Sequence, residues 1–398
     1  MVFNTRTRKG KERNVAPDNL VTISSNGQFH ELNFPLTDID PEQALPPLEI
    51  VDGQHRLLAT DLINLPDEYE VPVVIFDNLP LTWQAYLFWV INVEPKRINT
   101  SLAFDLYPEL RDQEWLKRGE SIRIYQEHRS QELVEVLWRN PSSPWKDRIE
   151  LFGKRVDGHV SNAAAIRSLM ATFVRTWAKS NDTGVDPEDI TKLGGLFGSI
   201  DKNGTRYIIR WRRPEQAAFL IMCWNAVRSA TSASKASWKQ ALTEKAGKYG
   251  DDAGIYAFAG PYTLLATDQG FRAISFAYNA LAQLVYDKVG LLEIEGSEDE
   301  SEPNDELVAK ALKQLESNRG LTAFVDAVAA ALVNEVDWRT SAAPGIDDQD
   351  KVVQGQYRGS SGYKALNKAA LTAASKSNNS NVSDAATRAL AILGWDNE

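Results

Sequence analysis

The chain holds a single cysteine, Cys223, in 398 residues. An intramolecular disulfide is therefore excluded, and without a CxxC pair so are the thiolate zinc sites. Cys223 lies in the apolar run AAFLIMCWNAV, which predicts a small buried hydrophobe. Long apolar runs are also missing: none reaches the roughly 18 residues of a membrane span. The N-terminus, MVFNTRTRKGKER, is basic but lacks the apolar segment of a secretory signal. The expectation is a cytoplasmic protein with no membrane partner. Short catalytic signatures are missing too: no HExxH, no GxSxG, and no GxxxxGK[ST] phosphate loop. His128 and His159 have no neighbours at metal-ligand spacing. Excess positive charge is absent. The net charge of -10 argues against a chain that coats nucleic acid everywhere, and leaves room for a local basic site.

What remains is an ordinary globular composition, 43% hydrophobic and 25% charged, with an unusual 11 tryptophans that suggest aromatic-rich packing or a stacking surface. Residues 1–16 carry Arg6, Arg8, Lys9, Lys11 and Arg13 and read as a flexible basic arm. A core is expected over 17–109, with strand 47–51, helix 55–64 and strand 71–76. Strand, short turn, helix, strand is a βαβ unit, whose strands should be parallel, joined right-handed and covered on both faces. TWQAYLFWVINV (82–93) is apolar nearly all round and predicts a buried helix capped by Thr82. A further helix is expected from 99 to 107, capped by Asn99 or Thr100. Beyond that the pattern is mainly helical over 110–292, with helices at 128–139, 161–179 (N-cap Ser161), 214–230 and 270–290. An acidic linker is expected at 293–306. A helical C-terminal segment occupies 307–398, with helices at 304–317 and 321–336 and a last one after Ser383.

The informative stretch is LEIVDGQHRLLAT, residues 48–60. It places Asp52, Gly53, Gln54, His55 and Arg56 between an expected strand and an expected helix. A glycine there lets backbone approach a ligand, and the amides of the helix start favour an anion. Arg56 adds a fork of donors that matches phosphate, and His55 adds a hydrogen bond or a proton. Asp52 would repel phosphate unless it orients Arg56 or holds Mg²⁺. The plain alternative is that Asp52 caps the helix, Gly53 makes the turn, and the rest is solvated.

These five residues resemble the motif after which the DGQHR-domain family is named, a branch of the ParB/sulfiredoxin-like superfamily. That family includes components of bacterial phosphorothioation and 7-deazaguanine DNA-modification clusters. The likeness extends to FWVINVEPKRINTSLAFDLY (88–107), DWRTS (337–341) and YRGSSGYKAL (357–366). It implies an α/β fold with a ParB/sulfiredoxin-like βαβ nucleotide-binding core and a large helical remainder. It further implies ATP held by Gly53, Gln54, His55, Arg56, Asn92 and Asn99, catalysis by Asp52, His55 and Arg56, and Mg²⁺ at Asp52. The segment before the motif, LNFPLTDIDPEQALPPLEI, carries no arginine to serve a nucleotide. The partners implied are DNA and a DNA-modifying enzyme of the same gene cluster; a homo-oligomer is compatible. Two other functions stay open: a DNA-binding regulator of such a cluster, and a ParB-like nuclease.

RYIIRWRRPEQ (206–216) interleaves Arg206, Arg210, Arg212 and Arg213 with Tyr207 and Trp211, which suits a nucleic-acid backbone with base stacking. If 207–211 form a strand, Arg206, Arg210 and Arg212 share a face. The alternative is salt bridging within an acidic protein.

Overall fold

The computed structural model describes residues 1–5, 21–27, 29–34, 46–60, 70–93, 122–150, 158–175, 192–197, 209, 211–246, 253–294, 296 and 303–396. The chain forms two compact units, Met1–Gly119 and Glu120–Glu398. It is a mixed α/β protein, mostly helical, with small sheets. No helix among the described residues is long and apolar enough to cross a membrane.

The first unit contains β1 (Val2–Thr5), β2 (Thr22–Asn26), β3 (Phe29–Asn33), β4 (Leu48–Asp52), α1 (Gln54–Thr60), β5 (Val74–Asp77) and α2 (Leu81–Val93). Strands β2 and β3 make a separate hairpin. The main sheet has the order β4-β1-β5, with β1 antiparallel to β4 and parallel to β5. The expected parallel βαβ unit is therefore corrected: β4 and β5 are not neighbours and run in opposite directions. The reason is β1, which enters between them. Val2–Thr5 belong to the sheet and not to a solvated arm; the charge that suggests an arm begins only at Arg6.

Phe3, Asn4 and Thr5 are buried in that central position. The two polar ones are fully engaged. Asn4 Oδ1 accepts from the Leu79 amide (2.6 Å), while its Nδ2 donates to Leu79 O (3.0 Å) and to Glu49 Oε2 (3.3 Å). Thr5 Oγ1 donates to Asp77 Oδ1 (2.8 Å) and accepts from the Asn78 amide (3.0 Å). These side chains add rungs where a four-residue strand offers few. The register against β4 shifts between Val2 and Phe3, so Val51 has no partner across the pair. Such a bulge bends a strand and re-aims the residue beyond it, here Asp52.

Helix α2 begins one residue earlier than expected, because the Trp83 and Gln84 amides both donate to Pro80 O. Thr82 is thus inside the helix and is not its cap. Of the described α2 side chains only Gln84 and Ala85 are buried, so the helix is half-buried and not enclosed. The sheet is likewise not covered on both faces: Ile50 and Val74 are 41% and 53% exposed. The expected helix at 99–107 lies outside the described residues.

The second unit is built from α3 (Ile122–Arg139), α4 (Asn162–Ala171), α5 (Arg213–Ala233), α6 (Ser237–Ala246), α7 (Ala253–Ala259), α8 (Asp268–Val285), α9 (Asp305–Ser317), α10 (Arg319–Glu335), α11 (Asp348–Gly355), α12 (Gly359–Ala374) and α13 (Ser380–Leu393). Two-residue strands β6 (Ile149–Glu150) and β7 (Val160–Ser161) pair in parallel. Ser161 caps α4, accepting from the Ala164 amide (3.2 Å). Ser383 does not start the last helix, which begins at Ser380 and encloses it. Helices α9 and α10 pack on α5, and α12 and α13 pack on α8. The acidic stretch 293–306 therefore connects parts of one unit and does not divide two.

The tryptophan excess is partly a packing matter. Trp145, Trp211, Trp224, Trp238 and Trp338 are buried. Trp145 lies 5.0 Å from both Trp224 and Phe258 and 5.7 Å from Phe271, ring centre to ring centre. Cys223 is buried on the same helix as Trp224, as expected. Asn279 and Gln283, one turn apart on α8, clamp the backbone of Gly194–Leu196. Asn279 Oδ1 accepts from the Leu196 amide (2.8 Å), Gln283 Oε1 accepts from the Gly194 amide (3.0 Å), and both side-chain amides donate to Gly194 O.

Candidate functional site

Val51 anchors the end of β4 in the core, and Asp52 ends the strand. Gly53 then adopts φ +104°, a conformation that side chains rarely tolerate. A Cβ at this position would stand 2.7 Å from Met1 Cγ. The close approach that glycine permits is thus made by the chain's own Met1 side chain, where the sequence leads one to expect a ligand. From there α1 starts: the Arg56 and Leu57 amides both donate to Gly53 O (3.0 Å each).

Asp52 does not cap this helix. Among the described residues its Oδ1 accepts from Asn92 Nδ2 (3.4 Å), and no first-turn amide of α1 donates to it. Asn92 Nδ2 also donates to Phe88 O (2.9 Å), which fixes the amide. Eight residues back along α2, Gln84 Nε2 donates to Glu49 Oε2 (2.9 Å). Eight helical residues rise about 12 Å and three strand residues span about 10 Å. Helix α2 therefore runs alongside β4 in the same direction, and its two amides meet the two β4 carboxylates. Asp52 and Asn92 are 40 positions apart in the chain.

Gln54, His55 and Arg56 follow Asp52 and Gly53 in the chain, and all three are exposed. The site thus offers one carboxylate oriented by an amide, one imidazole and one guanidinium at a single strand-to-helix turn. That set can bind an anion, orient a water and move a proton. Asn99, Lys96 and Arg97 lie outside the described residues.

The arginine-rich segment is only partly described. Arg206 and Arg210 lie outside the described residues. Ile209 and Trp211 are buried, and Arg212 is exposed as the N-cap residue of α5, its amide donating to Glu215 Oε2 (3.0 Å). Arg213 turns inward: its Nη1 pairs with Glu132 Oε2 (3.2 Å), and Glu132 is almost wholly buried. Glu132 also pairs with Arg129 one turn away. Arg129 in turn donates to Gln216 Oε1 through Nε (3.1 Å) and Nη2 (2.6 Å).

Sequence reasoning misses this cluster. Six successive polar residues of α3, Glu127 to Glu132, are buried, on all sides of the helix. The signal that could have found it is negative: QEHRSQE (126–132) offers no apolar residue, so this part of α3 lacks the apolar stripe that a surface helix needs.

The two C-terminal segments each make their own polar cluster. Within DWRTS, Asp337 holds Arg339 in a fork (3.1 and 2.6 Å), and Arg339 reaches Asp350 (2.7 Å). Within YRGSSGYKAL, Tyr363 donates to the Asp268 carboxylate, and the Arg272 guanidinium sits 4.3 Å over its ring. Burial, then the neighbouring Asp268, push the Tyr363 pKa up to about 12 from 10.0. A folded pKa raised in this way contributes stability that is complete below pH 10 and is lost as pH rises through about 12. Thermal melts across that window should show an alkaline loss of Tm in the wild type that is blunted in Tyr363→Phe. Identical profiles would contradict the Tyr363–Asp268 bond.

No protein-family model matches this chain, and comparison with curated proteins and with solved structures finds none similar to it.

Proposed function

We propose that the chain is an ATP-binding and ATP-hydrolysing component of a bacterial DNA-modification system, of the 7-deazaguanine or phosphorothioation type, acting with a modifying enzyme on DNA. The reading rests on the resemblance of Asp52–Arg56 to the DGQHR motif. One observation carries it furthest: Asp52 and Asn92, assigned by that resemblance to one nucleotide site, are hydrogen-bonded across the turn, with His55 and Arg56 exposed beside them. A ParB/sulfiredoxin-like ancestry for the first unit belongs to the same proposal, with the sheet order β4-β1-β5 as its local form.

In this reading Arg56 binds a phosphate oxygen through its donor fork, and the Gln54 and His55 amides face the same anion. Asn92 keeps the Asp52 carboxylate turned away from the α1 amides. Among the described residues no three His, Cys, Asp or Glu side chains converge on one point. A divalent ion is compatible with Asp52 on the terms that Mg²⁺ favours, one carboxylate plus phosphate and water oxygens. When bound, it would neutralise phosphate charge.

Arg56→Ala should weaken MgATP binding by about 1.5–3 kcal/mol with an unchanged melting temperature. Equal affinity by isothermal titration would end the phosphate assignment. DNA is the expected macromolecular partner, and Arg212 is the described, outward-facing candidate for contacting it. Arg212→Ala should reduce the slope of log K against log[salt] by about 0.9. Arg213→Ala should act instead on stability, because its partner is the buried Glu132. An unchanged slope in Arg212→Ala would take this segment out of the DNA face. ATP binding without phosphate release, even with DNA present, would favour the regulator over the enzyme.

A further inference from the structure

We infer that α2 is the contact face of a symmetric dimer: two copies of the chain pack α2 against α2, antiparallel, with Tyr86 at the twofold axis. This holds whether or not the motif binds a nucleotide.

Helix α2, LTWQAYLFWVINV, carries no charged residue, and its polarity is reversed from that of a surface helix. The amides turn inward: Gln84 Nε2 donates to Glu49 Oε2 (2.9 Å) and Asn92 Nδ2 to Asp52 Oδ1 (3.4 Å), both on β4. The aromatic residues take the other side. Trp83, Tyr86 and Trp89 lie about 100–160° round the helix from Gln84. They form one row, with ring centres 5.6 Å apart for Trp83–Tyr86 and 6.3 Å apart for Tyr86–Trp89. Leu81 and Trp83 are 42% and 39% exposed, and neither Tyr86 nor Trp89 is buried. A helix that is apolar nearly all round ordinarily lies inside a protein. Of the described α2 side chains only Gln84 and Ala85 do.

The occupant that fits this face is a second copy. The row is palindromic: Trp83 and Trp89 stand three residues either side of Tyr86. In a twofold contact residue i touches j and j touches i, so antiparallel pairing sets Tyr86 on Tyr86 and Trp83 on Trp89. With no charge on the helix, two identical faces meet without like-charge repulsion. The first unit also has the surface to give. Eleven of its large apolar side chains are exposed, against three in the longer second unit. At on the order of 70 Å² each, they approach the roughly 800 Å² that one partner contributes to a stable interface.

Cysteine crosslinking reads the pairing, because the single native cysteine, Cys223, is buried and gives no background. Tyr86→Cys in the whole protein should form a covalent dimer under mild oxidation: helices packed about 8–10 Å apart bring facing Cα atoms within disulfide reach. Val352→Cys, at a position 68% exposed in the second unit, should not. Light scattering should find a concentration-dependent dimer in the wild type. Tyr86→Lys should weaken that dimer about a hundredfold or more, since symmetry counts the change twice, with an unchanged circular dichroism spectrum. Should Tyr86→Lys fail to fold, the Tyr86→Cys crosslink decides alone. A wild type that stays monomeric at every soluble concentration would overturn the inference; a fall in Tm of that monomer in Tyr86→Lys would mean that the chain itself covers the row. A dimer that Tyr86→Lys leaves intact, or in which Tyr86→Cys gives no crosslink, would overturn it equally.

Discussion

Asp52→Asn is expected to lower ATP turnover by about 10²-fold or more while changing MgATP affinity far less. A carboxylate beside a phosphate site adds little to anion binding, which in the proposed reading falls to Arg56 and the helix amides. Its value lies in charge: orienting a water, or holding a cation at the phosphates. Asparagine keeps the shape and an acceptor oxygen for Asn92 Nδ2 but removes that charge. The substitution is clean because Asp52 is not the cap of α1; a capping aspartate could be exchanged for asparagine with no effect in any assay. His55→Ala should behave similarly if the imidazole moves a proton, and because His55 is exposed its loss should leave the fold intact. Rapid-quench turnover, read beside a thermal melt, checks both. Wild-type activity in Asp52→Asn would return the residue to a structural role. Failure of the wild type to release phosphate would remove the hydrolase and leave the binder.

Glu132→Ala is expected to destabilise the helical unit by about 3–5 kcal/mol, on the order of 10 °C in Tm. The Glu132 carboxylate is the common acceptor of Arg129 and Arg213, and the Arg129 side chain is only 7% exposed. Removing the acid takes the ion-pair partner from a buried guanidinium that also donates to Gln216. The penalty is mostly the lost compensation of a buried positive charge. The double variant Glu132→Leu/Arg129→Met should therefore recover much of the loss, since well-packed apolar side chains replace buried pairs at little cost. A Glu132→Ala melt no more than about 2 °C from wild type would mean that the Glu132 ion pairs contribute little to the stability of this unit.

The two substitutions also separate the units. Asp52 lies in Met1–Gly119 and Glu132 in Glu120–Glu398. Neither effect should appear in the other's assay if nucleotide chemistry belongs to the first unit. Loss of ATP turnover in Glu132→Ala at temperatures well below its melt would instead show that the helical unit takes part.

What the sequence determined by itself was local. Ser161 caps α4 because its hydroxyl needs only the amide three residues on, and the spacing is visible in the string. The motif sits between a strand and a helix because LEIV and LLA carry those preferences within a few residues of it. The helical character of the second unit follows from periodicity repeated over most of its length. Cys223 is buried because everything near it is apolar. Other features depended on partners far away in the chain. Val2–Thr5 became the central strand through pairing with residues about 45 and 72 positions on, and no local pattern in VFNT announces that. Pairing of this kind also reversed the expected relation of β4 to β5. Asp52 lost its reading as a cap because the helix starts one residue later, on Gly53 O, and its carboxylate meets an amide 40 residues on. EHRSQE went inside because Arg213 and Gln216, more than 80 positions downstream, supply the charge and hydrogen bonds that make its burial tolerable. A pattern of polar and apolar letters records what each residue prefers alone. Where a charged residue can be satisfied is decided by which groups the fold brings to it.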